Sequence, residues 1–173
     1  RCLYFGKKSN DLGLSQHDAP KPMSILSSFY HGLAVIHKMK SRKDTYLKKT
    51  AKTVLTSLQT LACLSEQNDY HNKAHLIQAE LCSAETICVT EKILGKCDMK
   101  ARDAYDKAIE SSRVSSIVNE EGLCCELAGK HCERFNDKDA ALKYFEQAKK
   151  CYKDWGSQMK EECMDEMITR LKS

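Results

Sequence analysis

A chain of 173 residues is about one domain long and large enough to bury a core of its own. With 30% charged and 42% hydrophobic residues it has ordinary soluble composition, and two prolines and seven glycines are too few for a turn-rich β-sandwich. A formal charge of +4, with lysines interleaved with acids as in EQAKKCYKD, reads as a solvated helical surface rather than a nucleic-acid footprint.

Residues 1–22 read as an irregular segment, punctuated by Gly6, Gly13, Pro20 and Pro22, with LYFG as its only apolar patch. Residues 23–173 read as one helical-repeat domain. Ser24 caps a first helix through Met39, whose apolar face is Leu26, Tyr30, Leu33, Ile36 and Met39. Ser41 and Asp44 form an S-x-x-D capping signature that opens a second helix to about Leu64. Its stripe is Tyr46/Leu47, Ala51, Val54/Leu55, Leu58 and Leu61/Ala62. After the turn SEQND, the stripe Ala74, Ile77, Leu81, Ala84, Cys88 and Ile93 predicts a helix from Tyr70 to Gly95. Asp98 caps the next helix, through Arg113, and Asn119 with Glu120 and Glu121 starts another, to about Phe135. Asn136-Asp137 turns the chain into a helix that ends at Trp155-Gly156, and Ser157 caps a last helix to Leu171. No segment alternates with period two, so the prediction is an all-α fold of about seven helices.

The chain repeats itself. Ala101-x3-Tyr105-x2-Ala108 recurs as Ala141-x3-Phe145-x2-Ala148, 40 residues later. This is the small–aromatic–small half of a tetratricopeptide-type (TPR-type) unit, in which small residues let one helix approach its neighbours. Gly129 supplies the small residue of the preceding helix, and Phe145 fills the space alongside. The terminal proline of such units is replaced by Arg113 and Lys153, and the pitch exceeds the usual ~34 residues. The expected architecture is therefore antiparallel helical hairpins stacked as a TPR-like α-solenoid, held by Ala101, Tyr105, Ala108, Gly129, Ala141, Phe145 and Ala148. Gly156 takes the left-handed position after its helix, and Trp155 is expected to fold into a seam with Ala148 and the closing helix.

FYHGLAVIHKM, AHLIQAEL, ARDAYDKAI, EEGLCCELAGKHC and ALKYFEQAKKCYKDWGSQMK, in that order, resemble the helical region of large hybrid signalling proteins. Members of that family join a serine/threonine-kinase-like domain, an AAA-type predicted ATPase, TPR-like helices, a GAF domain and often a sensor histidine kinase. The resemblance covers about residues 24–162, with the Trp-Gly ending its most specific element. It implies a non-catalytic interaction or signal-relay segment that contacts protein domains, in the same chain or in a partner. Cys124-Cys125 departs from the usual alanine and asparagine there, and the segment from Cys82 to Lys96 is longer than the family's. None of the family's kinase, ATPase or GAF motifs lies in these 173 residues, so those activities attach to no residue here.

Ten cysteines at apolar helical positions, without CxxC or paired knuckles, predict reduced buried thiols and a cytoplasmic setting. No apolar run approaches the ~18 residues that span a bilayer, and RCLYFGKKSND lacks the apolar core and cleavage site of a signal peptide. The missing initiator Met points to a piece of a longer protein. No Gly-rich phosphate cradle is present, so no cofactor is predicted. His71-x3-His75 with Cys82 has fragmentary metal spacing but no further ligand, and no metal site is predicted. His131 and Cys132, adjacent on a helix, point about 100° apart and cannot pair directly as base and nucleophile. Redox sensing by Cys124, Cys125 or Cys132 needs an acidic, accessible thiol. Glu161, Glu162, Asp165 and Glu166 read as solvated charge, and Tyr105, Phe145, Tyr152 and Trp155 as core. No catalytic residue is predicted. Two rival readings stand beside the relay segment: a free-standing adaptor that binds a partner peptide, and a thiol- or metal-dependent enzyme built on the Cys/His set.

Overall fold

The computed structural model describes residues 22–41, 44–64, 70–85 and 91–173. Residues 1–21 lie outside them; Pro22, the last residue of the expected irregular segment, and Ser24, the expected cap, both lie within the first helix. The described residues form seven α-helices and no strand: α1 (Pro22–Ser41), α2 (Thr45–Leu64), α3 (His71–Glu85), α4 (Glu91–Val114), α5 (Val118–Arg134), α6 (Lys138–Trp155) and α7 (Gln158–Lys172). Each helix packs on the next in the chain, and α3 also lies against α1 and α5. One apolar cluster runs through them, from Ile25 and Phe29 in α1 to Ile168 and Leu171 in α7.

The local signals at the later turns act as their chemistry requires. Asn136 takes φ 61 and the Asp137 side chain accepts a hydrogen bond from the Ala140 N–H, capping α6. Gly156 takes φ 82, and its N–H donates to the Lys153 carbonyl while Ser157 N–H reaches Tyr152. Ser157 occupies the N-cap position of α7, but its side chain makes no capping bond.

Four expectations need correction. The cap of α2 is Asp44, which accepts from Tyr46 N–H at 2.8 Å; Ser41 instead donates to the Lys38 carbonyl at the end of α1. The third helix is described from His71 to Glu85, and Gly95 and Asp98, expected as an end and a cap, both lie inside α4. Asp98 does not cap because its carboxylate is held sideways, by Arg102 Nε at 3.0 Å and His131 Nε2 at 2.8 Å. Cys88 lies outside the described residues. The buried face of α1 is Ile25, Phe29, Val35 and Ile36; of the expected face Ile36 is buried and Leu33 and Met39 pack against the core, while Tyr30 is exposed and Leu26 half-buried. Gly32 explains that rotation: a Cβ there would sit 2.8 Å from Val54 and 3.0 Å from Ile77, so α1 turns its glycine, not its bulkier side, toward α2 and α3.

The fourth correction concerns Trp155, which is 55% exposed and lies in no seam. The α5–α6 pair is antiparallel and sets Cys151 and Tyr152 against Gly122. One further turn brings Trp155 level with Val118, where α5 begins, so α5 does not reach past the ring to cover it. Trp155→Ala is therefore expected to change stability by no more than about 0.5 kcal/mol, the usual range at an exposed site. Iodide should quench this single indole freely in the native state, and denaturant melts of the variant measure the rest.

Candidate functional site

Two α-hairpins carry the same buried clasp. In the first, Glu80 of α3 accepts a hydrogen bond from the Tyr105 hydroxyl of α4 and an ion pair from Lys40 of α1 at 2.6 Å. In the second, Glu126 of α5 accepts from the Tyr152 hydroxyl of α6 at 2.6 Å, and from Lys160 of α7 at 2.8 Å and Lys130 at 2.6 Å. Both carboxylates are buried. Each clasp ties the two helices of its own hairpin to a helix outside it. Burial opposes ionisation of Glu126, but the bonds from Lys130, Lys160 and Tyr152 outweigh it and hold the carboxyl down at about 2. Burial and the adjacent carboxylates push the Tyr105 and Tyr152 phenols upward, so both remain protonated donors.

Sequence reasoning placed the tyrosines and missed the glutamates. A signal existed. Glu80 lies three residues after Ile77 and four before Ala84, inside the apolar stripe, and Glu126 stands likewise between Gly122 and Gly129. A carboxylate in the middle of a buried stripe needs a partner.

A third joint links alternate helices. Glu120 of α5 accepts from Asn72 and from Lys73 of α3, the ion pair being 2.8 Å and nearly free of solvent. Asn72 also donates to Ser112 of α4. Lys73 lies 6.0 Å from the Phe29 ring, which draws α1 into the same joint.

The fourth joint has the connectivity of a hydrolytic triad. His131 Nε2 is 2.8 Å from Asp98, and its Nδ1 is 3.0 Å from Ser83 Oγ. Ser83 is fully buried and its oxygen also accepts from Arg134, so no substrate carbon reaches it without parting α3 from α5. Arg102 shares Asp98 with the imidazole and bonds Asp137 at 2.6 Å. The set is a joint between α3, α4 and α5. Burial, with Arg134 and Arg102 nearby, outweighs the help of Asp98 and holds the His131 imidazole neutral, down at about 4. Its Nε2–H then donates to Asp98, and Nδ1 accepts from Ser83.

A histidine depressed from 6.5 to about 4 binds its proton more readily in the unfolded chain. Its contribution is complete above pH 6.5 and is lost as the pH falls toward 4, at most about 3 kcal/mol. Burial also depresses His31 and His75, which add with the same sign. Denaturant melts should therefore show stability falling between pH 6.5 and 4.5, and His131→Gln should flatten that slope.

The repeat positions Ala101, Tyr105, Ala108, Ala141, Phe145 and Ala148 are all fully buried. Gly129 lies under the Phe145 ring, where a Cβ would stand 2.6 Å from it. His71 and His75 stack one turn apart with ring centroids 6.4 Å apart, and Cys82 accepts from Gln78. Among the described residues no group of three or more His, Cys, Asp or Glu is placed to hold a metal ion. Cys132 is buried beside a histidine whose two nitrogens are both engaged. Burial pushes its thiol up to about 11, that of Cys124 to about 12, and raises Cys125 and Cys151 as well. The eight described cysteines are free thiols; Cys63 is exposed and only Cys124, Cys125, Cys132 and Cys151 are buried. Native-state labelling should modify Cys63 at once and those four only on denaturation, as read by mass spectrometry of timed samples.

No helix of the described residues is long and apolar enough to cross a membrane. Comparisons with protein-family models, with curated proteins and with solved structures find no match to this chain.

Proposed function

We propose that this chain is a non-catalytic TPR-like repeat that acts as an interaction and relay segment within a larger signalling protein, between a nucleotide-driven module and an output domain. The repeated Glu–Tyr–Lys clasp carries the reading. Glu80 joins α1, α3 and α4, Glu126 joins α5, α6 and α7, and the Lys73–Glu120 and Ser83–His131 joints link the two sets, so a displacement at one hairpin is passed to its neighbour through directional bonds as well as side-chain packing. Buried bonds of this kind favour a stack that moves as a unit. The sequence resemblance supplies the identity of the flanking domains, and the cysteine pattern the cytoplasmic setting.

The full reading frame tests this. A kinase-like domain and a P-loop ATPase upstream support it; a frame that encodes this domain alone removes the relay role. In the longer protein, Tyr105→Phe with Tyr152→Phe should weaken the response of the output to nucleotide while hydrolysis itself is unchanged. One observation favours the adaptor as the second reading: Trp155 and Met159, four residues apart across the α6–α7 turn, are both exposed. Loss of partner binding in Trp155→Ala at unchanged stability is the outcome that selects it.

A further inference from the structure

We propose that this chain self-associates head to tail, through a salt-sensitive contact between the lysine face of α2 in one copy and the acidic face of α7 in the next. The positive charge is not interleaved with acids, as the whole-chain value implies. Residues 38–52 hold seven basic residues against Asp44 alone; Asp44 is spent on capping α2, while Lys40 and Lys48 are paired with Glu80 and Glu85 of α3. α2 contains three lysines and no acid. Lys49 and Lys52 have no ion-pair partner among the described residues, and with Thr45 and Thr56 they line a shallow groove along the helix.

The hydroxyls on that face do not compete for a partner. Thr53, Thr56, Ser57 and Thr60 each donate to a carbonyl one turn back in α2. Along the middle of that groove the donors left for a partner are therefore ammonium groups, which select an anionic partner over a general hydrogen-bonding one. Exposed Tyr46 and Leu64 stand at the two ends of the helix.

The complementary surface is on the same chain. Residues 153–166 hold five acids against Lys153 and Lys160, and Lys160 is turned inward onto Glu126. Glu161, Glu162 and Asp165 line a second shallow groove with Lys153, next to exposed Met159 and Trp155; Asp165 is paired with Lys149 at 2.7 Å, which leaves Glu161 and Glu162 to carry the negative charge. Each face thus pairs a charge of one sign with exposed apolar side chains. α2 packs on α1 and α3 whereas α7 packs on α6, so the two faces share no principal neighbour. A contact between unlike faces of two copies is heterologous: each copy keeps one face of each sign for a further copy, and the copies form a ring where their rotation closes and an open chain where it does not. The inference is independent of the flanking domains proposed above.

The test is sedimentation velocity on the 173-residue chain over a concentration series at about 0.05 M and about 0.5 M salt. Mass should rise with concentration at low salt, with the apparent dissociation constant at least about tenfold weaker at high salt. Two charge-reversed variants decide the route: Lys49→Glu/Lys52→Glu, and Glu161→Lys/Glu162→Lys. Each alone should remain a monomer where the unmodified chain associates, and a mixture of the two should associate again, because both contacts are then complementary. Circular dichroism establishes that each variant is folded. An unmodified chain that stays monomeric at low salt overturns the proposal even where a variant fails to fold. So does association that neither folded variant blocks, or a mixture of folded variants that stays monomeric.

Discussion

Replacing Phe145 by alanine is expected to cost about 3–5 kcal/mol, the range for deleting a fully buried aromatic ring. Phe145 lies in the α5–α6 hairpin over Gly129, with no room left: a Cβ at position 129 would stand 2.6, 2.7 and 3.0 Å from three atoms of the ring. Gly129→Ala should for that reason destabilise the intact protein by roughly 1–3 kcal/mol, although alanine is the better helix former. In the Phe145→Ala background the clash is gone. The same Gly129→Ala change then gains helix propensity of about 1 kcal/mol and fills part of the cavity, so its sign should reverse. Denaturant melts of the two single variants and the double variant measure this coupling. Additive effects would show that the ring and the glycine do not meet.

Removing Glu126 should cost about 2–3 kcal/mol. Breaking a buried ion pair costs roughly 3–5 kcal/mol, and the partial exposure of Lys130 and Lys160 lowers that figure here. Glu126→Ala also leaves the buried Tyr152 hydroxyl without its acceptor, a penalty that water cannot relieve at this depth. Tyr152→Phe is expected to lose less, about 1–2 kcal/mol, because the carboxylate keeps both lysines. Acid sharpens the test. A carboxyl held at about 2, against 4.5 in its ordinary state, contributes stability that is complete above pH 4.5 and is lost as the pH falls toward 2. Glu126→Gln should accordingly show a shallower loss over that interval. A loss as steep as that of the unmodified protein would assign the acid sensitivity to other groups.

The α5–α6 hairpin shows how much of this was legible in the residues themselves. Its helices follow from apolar side chains at steps of three and four, its turn from Asn136 and Asp137, and its end from Gly156, each a matter of bonds within a few residues. The close approach was legible too, because glycine and alanine beside a large aromatic leave room for nothing else. The burial of Glu126 between Gly122 and Gly129 was only half legible: the sequence shows a carboxylate on the stripe but not the Tyr152 and Lys160 that satisfy it, 26 and 34 residues away.

The all-helical class, the repeat, and the turns at residues 136–137 and 156 were thus determined by the sequence alone, because period, cap and left-handed backbone are local properties. Tertiary structure decided which face of α1 is buried, since that depends on Val54 and Ile77 closing on Gly32. It decided that α4 continues through Asp98, because His131 in another helix claims the carboxylate that would otherwise have capped. It decided, too, that Trp155 faces solvent, because the helix that would cover it begins level with Val118. In each case the deciding atom belongs to a residue more than 20 positions away, and no pattern within one helix reports which distant side chain arrives there.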